Sequence, residues 1–448
     1  MNFLKTCGIS MIISTLMITT SPVNASDKIT TLRDAVALGI ETNPQAGIVE
    51  NDRRATDEEL GQAKALYLPS IDVRADTGYE YTDDVGTRSL GKDNEDMWRY
   101  EAGITLTQML FDGWETRYEV ERQRNRIQSA SHRVRETVEF TGLDVVESYL
   151  EVLRQRELIR ISRENVAEHI TILEQIEDAA TAGRSTQADV EQAKARLASA
   201  RAQESNVRLQ LRTAESTYIR HVGDVPKNLA MPMVPVDLLA SNVEEEVKIA
   251  ITTSPTLDIF ESDIEVAESE WRGTGSTLYP QFDFQLNARQ GNDLGGVDGR
   301  DTSASALVVM NWNIFRGGGD QHRVREFIYR HEEAKEARAD AARGVEEDVR
   351  QTWARMISAG ERSREFSAQA AANQQVVQAY MDQFNLDRRT LLDVLDAQNE
   401  WFVSRSNMIN SRFLEVFAVY RLVTVKGRLL PTLEIAYPAE TDWTDNYR

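Results

Sequence analysis

The two halves of this 448-residue chain repeat one another, and this duplication limits the folds that the chain can adopt. A short amphipathic stretch leads to an X-Pro step at Pro44, and a similar stretch leads to Pro255, 211 residues later. Further along, Asp189 matches Asp393 at an offset of 204 residues, which predicts a shorter loop in the second half. Each copy is far longer than the roughly 20–45 residues of a solenoid repeat. The sequence therefore predicts one large unit that has been duplicated.

Each predicted unit has the same internal order. Two shorter helical stretches come first, two strand-like segments follow, and two very long helical stretches joined by a tight turn complete the unit. We expect the first unit at residues 26–235 (strands at about 69–112, helical hairpin at about 113–223), the second at 236–430 (strands at about 280–316, hairpin at about 317–429), and a short C-terminal tail at 431–448.

Residues 1–25 have the pattern of a secretory signal peptide. Lys5 precedes an apolar stretch, and Val23-Asn24-Ala25 provides small residues for cleavage before Ser26. The apolar stretch has only about 12 residues, which is too short to span a bilayer core of roughly 30 Å. Cys7, the single cysteine, precedes that stretch, which argues against a lipoprotein signal and excludes a disulfide framework in the exported chain.

The four strand-like segments alternate between apolar and polar residues. Ile71, Val73 and Ala75 fall on one face, and Asp72 and Arg74 fall on the other. Each segment has about the ten residues that a tilted transmembrane strand needs. A half-buried sheet in a soluble protein alternates in the same way, so the pattern alone leaves both structures open. For the membrane structure we expect an interfacial girdle of aromatic side chains at Tyr79, Tyr81, Trp98, Tyr100 and Trp312.

The long helical stretches carry a seven-residue apolar repeat. Val138, Val145 and Val152 follow this spacing in the first half, and Leu395 and Phe402 follow it in the second. Such spacing is typical of helices that wind around each other. A purely structural coiled coil would explain these helices but not the alternating strands or the duplication. The net charge of −21 makes nucleic acid a poor partner, because like charges repel.

Four strands are too few to close a membrane barrel. Unpaired backbone N–H and C=O groups at a sheet edge cost several kcal/mol each in lipid, and the smallest membrane barrels have about eight strands. If these strands enter a membrane, at least two copies of the chain must share one barrel. The strand count does not distinguish between two, three and four copies.

These features together resemble the TolC family of bacterial outer-membrane channels. The resemblance extends over about residues 29–430 and rests on four motifs: the duplicated X-Pro steps, the steps before Pro69 and Pro280, the strand-to-helix junctions at Gly113 and Gly317, and the segment Arg389-Thr-Leu-Leu-Asp-Val-Leu-Asp396. The family implies a mixed α and β membrane fold in a homotrimer. A shared β-barrel in the outer membrane continues as a periplasmic barrel of coiled-coil helices.

The family also implies partners. Its members are passive conduits that work with a periplasmic adaptor protein and an inner-membrane ABC or other exporter. The segment from Gln108 to Arg117, together with the nearby Glu119-Val-Glu-Arg-Gln, resembles the type I secretion branch, which exports large adhesins or agglutination proteins. We therefore expect an exit channel for type I protein secretion. A multidrug efflux channel and a periplasmic coiled-coil adaptor or scaffold remain as alternatives.

Two carboxylates follow the turn between the last two long helices. Asp393 and Asp396 are three residues apart and therefore share a helix face, so a trimer would form a double ring of six carboxylates. Such a ring favours cations and resists anions, and mutual repulsion raises some of the carboxyl pKa values. Solvated charges that cap a helix end would give the same spacing. By resemblance these residues form the periplasmic pore gate, together with Arg389, its acidic partner Asp189, and Phe384 at a position where the family tends to have Tyr.

The resemblance also assigns adaptor contacts to the two hairpin tips. The first tip has the usual glycine at Gly183, followed by Arg184. The second tip has Asp387 in place of glycine, followed by Arg388. We expect these four residues to contact the adaptor, with the second tip departing from the family pattern.

The sequence contains no pattern for catalysis or for a cofactor. It lacks a P-loop and a nucleophile elbow, and its five histidines include no pair four residues apart. The segment Gly291–Asp301 resembles one turn of a calcium-binding repeat, but as a single copy we expect it to be a surface loop. We therefore expect no enzyme activity, no cofactor and no bound metal.

Overall fold

The computed structural model describes residues 30–92, 94–386 and 388–443. The predicted signal peptide at 1–25 lies outside these residues. In chain order the elements are α1 (Leu32–Thr42), α2 (Pro44–Ala65), β1 (Ser70–Thr82), α3 (Val85–Ser89), β2 (Glu95–Phe111), α4 (Glu115–Thr181), α5 (Gln187–Val222), α6 (Val243–Thr253), α7 (Pro255–Thr274), β3 (Gln281–Leu294), β4 (Val297–Asn311), α8 (Gly319–Asn385), α9 (Leu391–Val425) and α10 (Leu429–Thr432). The order of two helices, two strands and two long helices thus occurs twice.

The two halves differ mainly in the connection between their strands. In the first half, residues 83–94 separate β1 from β2 and contain α3. In the second half, only Gly295 and Gly296 separate β3 from β4. Both glycines have positive φ angles, +57° and +74°, which a two-residue hairpin turn of this kind requires. The shorter second loop is confirmed, but the prediction that Gly291–Asp301 forms a surface loop is wrong, because most of that segment belongs to the two strands.

The strands form one antiparallel sheet in the order β1-β2-β3-β4. Because the register places Val73 opposite Ile104 and Ile104 opposite Ala288, the apolar residues of all four strands share one face. The opposite face is polar and charged. Within the described residues, β1 and β4 each have one edge that pairs with no other strand.

The aromatic residues expected in a single girdle lie at two levels of the sheet. Tyr79 is directly opposite Trp98, and both lie near the end of the sheet that is remote from the long helices. Trp312 follows the end of β4, where Asn311 pairs with Gln281, and thus lies at the helical end. The single girdle is therefore wrong, and the apolar face has aromatic residues near both of its ends.

Two glycine-containing junctions turn the chain from a strand into a long helix. Gly113 has φ +71°, and a Cβ atom at this position would lie 2.6 Å from the backbone oxygen of Ser276. Gly317 and Gly318, at the matching junction in the second half, also have positive φ angles of +62° and +85°. A positive φ and a close backbone approach both favour glycine. The duplication therefore extends to the backbone conformation of these turns.

The main core lies around α4. Val138, Val145 and Val152, the positions of the predicted heptad repeat, are completely buried there against α1, α5 and α9. The two hairpins, α4 with α5 and α8 with α9, continue beyond this core as long paired helices. None of the described helices is both long enough and apolar enough to cross a membrane.

A buried carboxylate connects the C-terminal segment to α4. Glu139 accepts hydrogen bonds from the backbone nitrogens of Leu429 and Leu430, at 2.8 and 3.3 Å, and from the hydroxyl of Tyr437. These backbone groups lie at the start of α10, whose first N–H groups have no partner within the helix. Glu139 therefore fixes the segment after α9 against the core.

We expect Glu139→Gln to destabilise the protein by about 1–3 kcal/mol, because the amide turns an NH₂ group toward buried donors and leaves one of them unsatisfied. Thermal unfolding of the detergent-solubilised protein, followed by circular dichroism at 222 nm, would measure this loss. Glu177→Gln is a suitable control, since Glu177 is exposed on the same helix. Equal unfolding temperatures for the two variants would contradict the anchoring role of Glu139.

Candidate functional site

The turns at the ends of the two hairpins have the same hydrogen bonds. In the first, Asp189 accepts from the backbone nitrogen and the hydroxyl of Thr186, at 2.9 and 2.7 Å. In the second, Asp393 accepts from the corresponding atoms of Thr390, at 3.3 and 2.6 Å. Both are capping boxes that begin α5 and α9. Each carboxylate therefore caps a helix within its own chain.

These hydrogen bonds also shift the pKa values of the two carboxylates. The bond from the backbone nitrogen of Thr186 lowers the pKa of Asp189, and the bond from the hydroxyl of Thr390 lowers that of Asp393. The rise expected from repulsion concerns the carboxylate ring of a trimer, whereas this lowering arises within one chain. Within one chain, both groups are ionised at neutral pH.

Arg389 is held mainly by its own hairpin. Its guanidinium carbon lies 4.0 Å from the centre of the Tyr380 ring, and its Nε atom donates to Gln383 at 3.2 Å. An Nη atom lies 3.9 Å from a carboxylate oxygen of Asp393. The ion pair of Arg389 within the described chain is therefore with Asp393, whereas its expected partner Asp189 is bonded to its own turn.

Phe384 belongs to the apolar core of the tip. It is half-buried and packs on a cluster that α4, α5 and α9 share. The ring that contacts Arg389 belongs to Tyr380, one helical turn earlier. The cluster consists of Ile172, Ile176, Val190, Ala193, Leu391, Val394 and Leu395. This shared core joins the first hairpin to α9.

Asp396 forms an ion pair between the two hairpins. Its Oδ1 atom accepts from a guanidinium nitrogen of Arg196 on α5 at 2.9 Å, and both side chains are partly exposed. Arg196 and Tyr380 were not among the residues predicted from the sequence. Tyr380 could have been found from its four-residue spacing to Phe384, but no sequence pattern relates Arg196 to Asp396.

The residues expected to contact an adaptor lie at the tips. Gly183 has φ +75° and ends α4 in a left-handed turn, and Arg184 is exposed beside it. At the second tip Arg388 is exposed, and Asp387 lies outside the described residues. Leu386, exposed by 66%, adds an apolar side chain that the sequence analysis did not consider. Within the described chain no group of His, Cys, Asp and Glu is arranged to hold a metal ion.

The chain belongs to the outer membrane efflux protein family. The family profile matches residues 40–223 and 247–427, which cover both copies of the duplicated unit and most of the chain. Members of this family are channels rather than enzymes.

Individual relatives agree with this assignment. The chain is 26% identical over 407 residues to the outer membrane efflux protein BepC of Brucella suis, which covers 89% of this chain and 86% of the relative. It is 21% identical over 387 residues to the outer membrane protein TolC of Salmonella enteritidis, covering 83% and 77%. In structure it is similar to a membrane protein from Pseudomonas aeruginosa, with a TM-score of 0.78, 16% identity, and coverage of 88% and 90%.

The protein is thus an outer-membrane efflux channel of the TolC family, with a periplasmic helical tunnel. TolC-like channels are homotrimers that work with an adaptor and an inner-membrane exporter. The predicted fold class and the outer-membrane location are confirmed. The alternative of a periplasmic adaptor or scaffold is wrong, because the family profile covers both repeats of a channel protein.

We expect Thr390→Ala to loosen the second tip, because Asp393 loses its hydroxyl partner and α9 loses its cap, a change of about 1 kcal/mol. Hydrogen exchange of the amides at the start of α9 should then become roughly fivefold faster. Thr171→Ala is the control, since this threonine bonds to a backbone oxygen within α4 and caps nothing. Equal exchange in both variants would contradict the capping role.

The same cap predicts a pH dependence. The folded-state pKa of Asp393 is lowered, so its stabilising contribution is present above the unfolded value of 3.8 and is lost as the pH falls through the folded-state value. The tip amides should therefore exchange at constant protection between pH 5 and 7 after correction for intrinsic rates. A marked loss of protection within that window would show that Asp393 is protonated there.

Proposed function

We propose that three copies of this chain form the exit channel of a tripartite export system for type I protein secretion. The observation that supports assembly is the sheet with two unpaired edges. Hydrocarbon offers no hydrogen-bond partners, so β1 of one copy must pair with β4 of the next until the sheet closes. Four strands per copy give twelve strands in a trimer, which is within the range of membrane barrels.

The helices also have surfaces that fit a neighbouring copy. Within one chain α5 packs on α4, and α8 packs on α9. Several apolar side chains on the outer faces of α5 and α8 remain exposed. They are Leu209, Ile219, Tyr329, Ile357 and Val376. Burial against the helices of adjacent copies would remove this apolar surface from water and complete the tunnel wall.

We propose that the tips of α8 and α9 form the periplasmic gate. Asp393 and Asp396 would provide the acidic rings, and Arg389 would hold the closed state. The Arg196–Asp396 ion pair supports movement of the two hairpins together, because it links the carboxylate on α9 to the first hairpin. Gly183, Arg184, Asp387 and Arg388 would contact the adaptor from the two tips.

Neutralising the gate should open the channel. We expect Arg389→Gln combined with Asp396→Asn to raise the closed-state conductance in a planar bilayer severalfold and to reduce the preference for cations, since both ion pairs and one carboxylate ring are lost. The control is Glu191→Gln with Lys194→Gln, which removes an exposed ion pair of 3.1 Å elsewhere on α5. Unchanged conductance and selectivity in the gate variant would contradict the assignment.

The proposal of protein as cargo rests on one local observation. The junction from Gln108 to Arg117 resembles the corresponding segment of type I secretion channels. Its backbone is fixed by the glycine turn at Gly113 and by Trp114, whose ring lies 5.1 Å from both Phe111 and Tyr279. Drug efflux is the second candidate, and it is favoured by the similarity to BepC, which is named as an efflux protein.

Deletion of the gene in its own bacterium would distinguish the two cargoes. If the channel serves protein secretion, a large protein should disappear from the culture medium and return with the wild-type gene, whereas ethidium accumulation should be unchanged. If it serves efflux, ethidium should accumulate and the secreted proteins should be unchanged. The control variant Glu191→Gln with Lys194→Gln should restore export as well as the wild type does.

A further inference from the structure

The charged face of the sheet must line the inside of the barrel. The apolar face carries Ile71, Val73, Trp98 and Val308, each exposed by more than 60%, and in a transmembrane barrel the apolar face is the one turned toward lipid. Because successive residues of a strand point to opposite sides, the charged residues between them point inward. The charges on that face therefore lie along the route of the cargo.

The register arranges these inward charges in rows across the sheet. Arg74 is opposite Gly103, Gly103 is opposite Arg289, and Arg289 is opposite Ser303. The charged members of this row are both arginines. In the next row toward the outside, Asp76 is opposite Glu101, and the row continues through Gly291 to Asp301. A purely cationic row thus lies below a purely acidic one.

Most of these charged side chains form ion pairs with one another. Arg289 lies 3.0 Å from Asp301 and 3.4 Å from Glu101, so it links β3 to both neighbouring strands. Arg99 lies 2.7 Å from Asp76 and 2.6 Å from Glu101. These ion pairs connect all four strands and neutralise part of each partner's charge.

Arg74 is the exception among the arginines of this face. In the single chain its side chain is 90% exposed, and its ion pair with Asp76 has a separation of 3.9 Å. Arg74 lies on β1, an edge strand. The position between Arg74 and Arg289 is occupied by Gly103, which has no side chain. Arg74 and Arg289 accordingly border an open groove of about 830 Å³. Within one chain, Arg74 is therefore the less compensated of the two guanidinium groups in this row.

We propose that the arginine row formed by Arg74 and Arg289 is a second charge filter, in the barrel, that acts on cargo after the acidic gate. It rests on the proposed assembly, in which three copies contribute six guanidinium groups to the lumen. Rings of charged side chains select ions by sign, so this row favours anionic groups at the exit and opposes the selectivity of the tips. Arg74 contributes most to the filter because it is the least compensated.

The test is the reversal potential of single channels in a planar bilayer under a salt gradient. Arg74→Gln should make the channel more selective for cations, with the ratio of cation to anion permeability rising roughly twofold near 0.1 M salt. The effect should fade near 1 M salt, where the Debye length shrinks from about 10 Å to about 3 Å. Heat-resistant migration of the trimer in SDS would verify that the variant assembles.

Arg300→Gln is the matched control. Arg300 lies on the same sheet and pairs with Asn292, but it belongs to the apolar, outward face. The substitution Arg300→Gln removes the same charge without changing the lumen, so the reversal potential of this variant should equal that of the wild type. Both substitutions should also be measured in the background of Arg389→Gln with Asp396→Asn, where the barrel has more influence on selectivity.

The outcomes separate this proposal from the preceding ones. A shift for Arg74→Gln that exceeds the shift for Arg300→Gln supports the filter. Equal reversal potentials for the two variants, in both backgrounds, would overturn it. Failure of the gate would instead appear as unchanged closed-state conductance, and failure of the cargo assignment would appear only in the export assay, which involves no conductance.

Discussion

The structure depends on the hydrogen-bonding requirement of backbone groups at the edges of its sheet. Within the described chain the backbone groups of the four strands hydrogen-bond to one another, but the groups on the outer edges of β1 and β4 pair with no other strand. In water such edges are tolerable, whereas in hydrocarbon they are not. The single chain is therefore an incomplete unit, and a closed sheet comes into existence only when copies associate.

The tunnel follows from the same duplication that provides the strands. Each copy of the repeat delivers two strands and then, through a glycine turn, a helix of 67 residues. Without proline in its interior, such a helix runs about 100 Å at 1.5 Å per residue. The buried positions of the seven-residue repeat, Val138, Val145 and Val152, pack α4 against its neighbours. Farther along, the Arg196–Asp396 ion pair links the two hairpins.

Regular features were predictable from the sequence, and contacts between distant elements were not. Strand alternation and heptads have fixed periods, so the strands and hairpins lie close to their predicted positions. The capping carboxylates Asp189 and Asp393 were identified as site candidates, and the structure adds their hydrogen bonds. Arg196 was missed because its partner depends on how α5 approaches α9. The Gly291–Asp301 error arose because glycine-rich composition is shared by loops and by tight hairpin turns.

The unequal strand connections have a consequence for the bacterial surface. Among the described residues, the longer connection at the outer end of the sheet is the one between β1 and β2, since Gly295 and Gly296 close the other hairpin tightly. This connection lies against the tight β3–β4 turn, because Lys92 forms an ion pair with Asp298 at 2.6 Å and Thr87 lies beside Gly296. Sequence change at the outer end of the sheet is therefore easier to accommodate in this connection than in the two-residue turn, where both glycines have positive φ angles.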